Sequence, residues 1–370
     1  MHFFVNGKDL NNAMQEFRRA GIKESVIRAT SNHSIELSGF SQPKESFGTA
    51  VQLWVNVPLS WETESSACDS VMVQLKELRG IPTEDVEIEA DCFGLFVNHA
   101  LYDKAIADCP RDFAKVMSGL AWDNGLAVNV KPEDCSAIAW VLRAIGSTEE
   151  LCKRGFDRLC IREGVAEATD GHRAHRANVS FGSHDMLVPS VMADLMSRLP
   201  GALNFRADEE QEYAEYLAGS IRIDTVRKKC GAWPDFEKVM PYNAPSVTLL
   251  PKHVMETVNA AVKGYDGATV HLSCGKGKRN LRVESLAHIA PMKPPFDGLV
   301  RTVGGRVETA TLEEPCPFED FGMGAEYNAA YLSDALAGFD GYARMYYTDN
   351  ESPLLLADDT GNAAIVMPIV

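Results

Sequence analysis

Ala168-Thr169-Asp170-Gly171-His172-Arg173-Ala174 stands near the middle of the chain, and the segments around it recur at matching offsets elsewhere. Val165 to Thr169 reads as a short β-rich run, Asp170-Gly171 as a two-residue hairpin signal, and His172 to Val179 as the returning strand. A type I′ turn needs φ > 0 at both central positions, which predicts a tight hairpin with Asp170 and Gly171 at its tip. A hairpin alone assigns no chemistry, so its meaning rests on its neighbours.

Outward from the hairpin, a unit of strand, helix and several strands repeats about every 120 residues. Phe3-Phe4-Val5 leads through Gly7-Lys8 into a helix carrying Leu10, Met14 and Phe17 that ends near Gly21. Leu126 to Val130 leads through Lys131-Pro132 into one with Ile138, Val141, Leu142 and Ile145, ending at Gly146. Ser246 to Leu250 leads through Pro251-Lys252 into one with Val254, Val258, Ala261 and Val262, ending at Gly264. The apolar spacing gives each helix one buried stripe, and early proline with late glycine is helix punctuation.

A second helix is predicted in each unit, over Cys68 to Arg79, Pro189 to Leu199 and Asn328 to Phe339. Alternating strands follow, as in Val86-Glu87-Ile88-Glu89 and Ile221-Arg222-Ile223-Asp224. The first two units close on echoing segments, Pro110 to Val116 and Pro234 to Val239. The third unit carries about twenty extra residues around 288–323, where Pro291, Pro294, Pro295, Pro315 and Pro317 interrupt the pattern. Three copies with two helices and many strands each make an α+β architecture with antiparallel sheets, divided at 1–123, 124–243 and 244–370.

The 370 residues, 45% hydrophobic and 24% charged, have the composition of a soluble globular protein. No apolar run reaches the ~18 residues of a membrane span, and Lys8 and Asp9 follow the start too soon for a signal peptide, so a cytoplasmic protein is expected, without membrane partners. The nine cysteines are scattered with no C-x-x-C pair, which predicts free thiols and no structural zinc. A net charge of −16 excludes a surface that grips nucleic acid everywhere, but allows a basic strip on an acidic body.

Four features together resemble the bacterial sliding clamp, the beta subunit of the replicative DNA polymerase, in a divergent or phage-encoded form. They are Ala168 to Arg173, Trp233 to Pro241, Asn328 to Leu336, and the terminal Ala364 to Val370, in the family's order and spacing. The resemblance is thin between Ile27 and Thr63. It implies three clamp-type domains per chain, a head-to-tail homodimer closed into a ring, and a non-catalytic processivity factor. Such a factor encircles double-stranded DNA without reading its sequence, and tethers DNA polymerase and the clamp loader; it needs no cofactor and no metal.

The resemblance also implies two sets of residues. DNA-facing candidates are Arg18, Arg19, Lys23, Lys76, Arg79, Lys153, Arg154, Arg198 and Lys263, of which Lys23, Lys153 and Arg154 match positions where family members touch DNA. A partner-peptide groove between the second and third domains would draw on Phe156, Thr169, Gly171, His172, Arg173, Ala174, Pro234, Lys238, Val239, Pro353, Val366, Met367, Pro368 and Ile369. Apolar and methionine side chains accept varied anchors, while the hairpin end offers backbone groups and a guanidinium. Ala174 replaces the family's usual leucine and Phe156 a smaller aliphatic, so one point of the groove should be wider and another bulkier.

Two other readings keep their own residues. Asp170, His172 and His175 could suggest a hydrolase or a metal site, but two histidines three apart on a strand face opposite sides. Gly275-Lys276-Gly277-Lys278-Arg279 lacks the spacing and the Ser or Thr of a phosphate loop and reads as a basic hairpin tip. A clamp-like scaffold that no longer encircles DNA would keep the same fold.

Overall fold

Asn6 accepts a hydrogen bond from the Lys8 amide, and from that cap the chain winds a helix whose Leu10, Ala13, Met14 and Phe17 are buried. Each large apolar side chain so buried contributes about 1.5–3 kcal/mol. The structure is a computed structural model. It describes residues 2–31, 33–41, 48–60, 70–74, 80–90, 95–98, 100–103, 126–229, 232–262, 269–274, 279–288, 302–312, 316–318 and 324–369.

In chain order the elements begin with β1 (His2–Asn6), α1 (Gly7–Arg19), β2 (Glu24–Ser31), β3 (Ser34–Ser41), β4 (Thr49–Pro58), β5 (Ser70–Gln74), β6 (Asp85–Ala90), β7 (Leu95–Val97) and β8 (Ala100–Asp103). Next come β9 (Leu126–Val130), α2 (Pro132–Val141), α3 (Glu149–Arg154), β10 (Arg158–Arg162), β11 (Val165–Thr169), β12 (Arg173–Asn178), β13 (Met186–Pro189), α4 (Ser190–Met196), β14 (Gly201–Ala207), β15 (Gln211–Ala218) and β16 (Ile221–Lys228). The last are β17 (Ser246–Pro251), α5 (Lys252–Val262), β18 (Thr269–Cys274), β19 (Asn280–His288), β20 (Thr302–Thr311), β21 (Ala325–Asn328), α6 (Ala329–Leu336), β22 (Tyr342–Tyr347), β23 (Leu354–Ala357) and β24 (Ala363–Val366).

These elements form two compact units, one of residues 1–132 and 191–230, the other of 133–190 and 231–370. The first unit has an eight-stranded antiparallel sheet in the order β5-β2-β3-β4-β16-β15-β14-β9 and a four-stranded sheet in the order β1-β6-β7-β8. Its helix α1 packs on β1 of one sheet and β4 of the other. The second unit repeats the plan with β13-β10-β11-β12-β24-β23-β22-β17 and β20-β19-β18-β21. There α5 and α6 pack on each other and on strands of both sheets. The α+β class and the repeating strand-helix-strand order agree with the sequence, and the middle repeat distributes its strands between the two units.

One expected element needs correction. Ser70–Gln74, inside the helix predicted over Cys68 to Arg79, is strand β5, paired to β2 from Glu24↔Gln74 to Arg28↔Ser70. Helical spacing could not see that β2 offers a free row of backbone donors and acceptors there, and β-branched Val71 and Val73 favour the extended form. Within the stretch around 288–323, between the prolines, Thr302–Thr311 forms the ten-residue strand β20, paired along β19 with a shift of register between Glu284 and Leu286. The thinly resembling stretch from Ile27 to Thr63 holds β3, β4 and most of β2.

Lys76, Arg79, Lys263, residues 275–278, and the segment Pro110 to Val116 lie outside the described residues. The strands flanking 275–278 pair antiparallel, with Cys274 opposite Leu281. Among the described residues, no helix is long and apolar enough to cross a membrane.

Candidate functional site

β11 and β12 pair from Val165↔Asn178 to Thr169↔Ala174, which leaves Asp170 to Arg173 as the hairpin end. The tip differs from the type I′ expectation: Gly171 alone has positive φ, at 85°, and Gly171-His172 is the central pair between Asp170 and Arg173. Positive φ at the first central position only is the sign pattern of a type II′ turn. Asp170 serves at the turn's first position instead, because its Oδ1 accepts from the amides of His172 at 2.9 Å and Arg173 at 3.0 Å. Thr169 Oγ1 completes the knot, accepting from Gly171 N at 3.0 Å and donating to the Arg173 carbonyl at 2.7 Å.

Arg173 is committed within the unit. Its Nε donates to Asp170 Oδ2 at 3.0 Å, its Nη1 to Asp334 Oδ2 at 2.6 Å, and its guanidinium lies 4.2 Å from the Tyr331 ring centroid. Asp334 also accepts from Arg143 at 3.3 Å, and its carbonyl accepts from the Trp140 indole at 2.9 Å. Gly338 permits that approach, since a Cβ there would sit 2.0 Å from the Trp140 ring. The guanidinium expected to orient a ligand therefore anchors α6 to the hairpin, and the exposed residues of the tip are Gly171 and His172.

Beyond the hairpin, β12 pairs with β24 through Arg173↔Val366, Ala174↔Ile365, His175↔Ala364 and Arg176↔Ala363. The Met367 amide extends this ladder to the His172 carbonyl at 2.9 Å, and Pro368 bridges to Tyr327. Strand alternation separates the two faces. On one face Ala174, Ala363 and Ile365 join Leu355, Ala357, Phe236 and Met240 in an apolar cluster, with Trp233 and Tyr346 packed against it. On the other, His175 is fully buried, stacked at 4.8 Å on Trp140, with Nδ1 3.0 Å from the Trp140 carbonyl. Burial pulls its pKa down to about 4, so the ring is neutral near pH 7.

The Trp233 to Met240 segment lies over the apolar cluster. Trp233 meets Phe156 edge-on at 6.2 Å and Phe236 at 6.2 Å, and Phe156 lines the space beside Gly171. The bulk of Phe156 thus falls next to the smallest residue of the turn. Val239, Met367 and Ile369 are exposed large apolar residues beside this cluster or on the β24 tail, at 52%, 37% and 47%. His172 and Lys238 are exposed, Lys238 paired with Asp235 at 3.0 Å, while Phe156, Pro234, Pro353 and Pro368 are half-buried. Thr169, Ala174 and Val366 are buried.

Sequence reading missed Ile365, Trp233, Phe236 and Met240. Alternation holds the signal for Ile365, since a residue opposite Ala174 shares its face, whereas Val366 shares the face of Arg173.

A hydrolytic role for Asp170 is unfavourable, because its carboxylate is engaged by two amides and a guanidinium. Burial likewise pushes the Cys160 thiol up to about 12, far from a reactive thiolate.

The cationic candidates are also largely paired. Lys153 and Arg154 on α3 each contact a glutamate one turn back, Glu149 and Glu150, at 2.5 Å. Arg198 forks onto both oxygens of Glu16 at 2.9 and 2.8 Å and onto Asp194 at 2.8 Å, and Arg19 shares Glu16 at 2.7 Å. Arg18 and Lys23 are exposed at and after the end of α1.

Solved structures share this fold over the full length of both chains. A Helicobacter pylori beta clamp bound to a DNA ligase peptide is 14% identical with a TM-score of 0.70. A DNA polymerase III beta subunit from Pseudomonas aeruginosa is 18% identical with a TM-score of 0.62. A DNA polymerase sliding clamp from Caulobacter crescentus is 16% identical with a TM-score of 0.65. No protein-family model and no curated protein matches the chain.

Proposed function

We propose that this chain is a DNA sliding clamp, a non-catalytic processivity factor that works as a ring-shaped homodimer in the cytoplasm. The observation that carries the reading is its fold, shared from end to end with bacterial beta clamps despite 14–19% identity. The repeat supports three domains bounded at 1–123, 124–243 and 244–370. Ring closure would use the outer strands of the two four-stranded sheets, β8 and β20, which have no neighbour on one side among the described residues.

The surface around the hairpin and the β24 tail fits a partner peptide, such as one from DNA polymerase or the clamp loader. Trp233, Phe156, Val239 and Met367 offer apolar contact, while the exposed His172 and Lys238 offer polar contact. Duplex DNA would meet Arg18, Lys23, Lys153 and Arg154, whose exposed positions suit weak, mobile phosphate contacts.

Primer extension on circular primed DNA, with the cognate polymerase and loader, tests the function. The protein should lengthen the product of each binding event, and an unchanged length overturns the reading. Deleting Met367 to Val370 tests the site. Val366 stays because it is fully buried between Arg173 and Leu354. Polymerase binding should be lost while gel filtration still reports a dimer; retained binding refutes the site.

A further inference from the structure

His2 opens β1, while Glu87 and Glu89 stand two apart on β6. The antiparallel register places His2 opposite Glu89 and Phe4 opposite Glu87, so the three side chains rise from one face of the four-stranded sheet. His2 Nε2 lies 2.6 Å from Glu87 Oε1 and 3.9 Å from Glu89 Oε1. One nitrogen or oxygen atom from each residue falls within 4.8 Å of the others.

The backbone beneath is held from both sides. The Glu87 amide donates to Asn98 Oδ1 at 2.9 Å, and the Asn98 amide donates to the Glu87 carbonyl at 2.9 Å. Asn98 reaches that position with φ 49°, the left-handed region that asparagine tolerates better than most residues. Phe4 sets the plane of the imidazole, edge-on at 5.3 Å. Two strands held in register thus bring one imidazole and two carboxylates together on one face.

We propose that His2, Glu87 and Glu89 bind one divalent ion of the zinc class. Mixed nitrogen and carboxylate ligands suit zinc, whereas magnesium and calcium take oxygen sets. Tetrahedral bonds of about 2.0–2.2 Å place ligand atoms about 3.4 Å apart. The 2.6 Å contact must therefore open and the 3.9 Å contact close, each by under about 1 Å. Side chains 52%, 19% and 42% exposed can rotate that far. Three protein ligands leave the fourth position to water. The ion would answer the repulsion of two adjacent carboxylates and clip the first strand of the unit to β6.

Calorimetric titration of the full-length protein with Zn²⁺ tests this, alongside Co²⁺ absorption as a second readout. Wild type should bind one equivalent that Glu87→Gln and His2→Ala each weaken at least about tenfold. The remote Glu24→Gln should leave that equivalent unchanged. The visible Co²⁺ bands should fade in the two site variants, and their metal-free circular dichroism should match wild type. Zinc should also raise the melting temperature of wild type alone. Identical isotherms for wild type and both site variants overturn the proposal. So does full displacement of zinc by equimolar Mg²⁺, which marks a diffuse acidic surface.

Discussion

Each unit builds its eight-stranded sheet across a central seam between distant stretches of chain, β4 with β16 in one and β12 with β24 in the other, and the two seams differ in what covers them. In the first unit β4 and β16 pair over seven positions, Thr49 to Val55 against Ile221 to Arg227. Their surface is ionic: Arg222 grips Asp224 at 3.0 and 2.8 Å and Glu215 at 2.9 Å, and stacks over Trp54 at 4.7 Å. In the second unit β12 and β24 pair over four positions, and the seam is completed by an apolar overlay and a neutral buried histidine. A long ladder with internal ion pairs satisfies itself, whereas a short one covered by a loop leaves apolar rims such as Val239 and Met367 outside. Arg173 and Arg176 of β12 make ion pairs at the second seam as well, so what sets it apart is the apolar overlay and its exposed rim.

The strongest way to break the comparison is to remove the overlay. Phe236→Ala empties a position in the apolar cluster and should destabilise the second unit by about 3–5 kcal/mol. Hydrogen exchange should then accelerate in β12 and β24 and stay unchanged in β4 and β16; equal acceleration in both would show that the seams are not independent.

Acid gives a subtler contrast, because the two seams respond with opposite sign. His175 has a depressed folded pKa, about 4 against an ordinary 6.5, so its contribution is complete above pH 6.5 and is lost as pH falls toward 4. Burial raises Asp224 from 3.8 to about 6, so the first seam is favoured below pH 3.8 and penalised as pH rises through 6. Between pH 7 and 5 the second seam should lose about 2 kcal/mol and the first gain about 1 kcal/mol. Exchange protection corrected for intrinsic rates reads both. His175→Phe should abolish the first effect and Asp224→Asn the second.

The smallest expected effect concerns α3. Lys153→Ala removes an exposed pair one turn apart and should change stability by less than about 0.5 kcal/mol. If α3 meets DNA, the same substitution lowers the salt dependence of DNA association by about one counterion, and an unaltered slope removes Lys153 from that surface.

The helices that carry the repeat were legible because burial is periodic: Leu10, Met14 and Phe17 fall on one stripe and are all buried in α1. The paired strands around Asp170 were legible for the same reason, through β-rich runs broken by glycine. The proposed site was legible as a region through Thr169 to Ala174 and the terminal Val366 to Ile369, which the β12–β24 pairing brings side by side, and less so residue by residue. Arg173 looked available because the sequence does not show Asp334, 161 positions away, approaching to 2.6 Å.

By itself, then, the sequence determined the local matters: which stretches are amphipathic, where glycine and proline end them, and that a unit of about 120 residues recurs. Tertiary structure decided what depends on partners distant along the chain. Ser70–Gln74 became a strand because β2 had an open edge, and Ile365 rather than Val366 joined the apolar face because its register set it opposite Ala174. Gly171-His172 became the turn's centre because the Asp170 carboxylate closed onto two amides and Arg173. Hydrophobic periodicity is written along one strand or helix, whereas hydrogen-bond register and ion pairing arise only when two such segments meet.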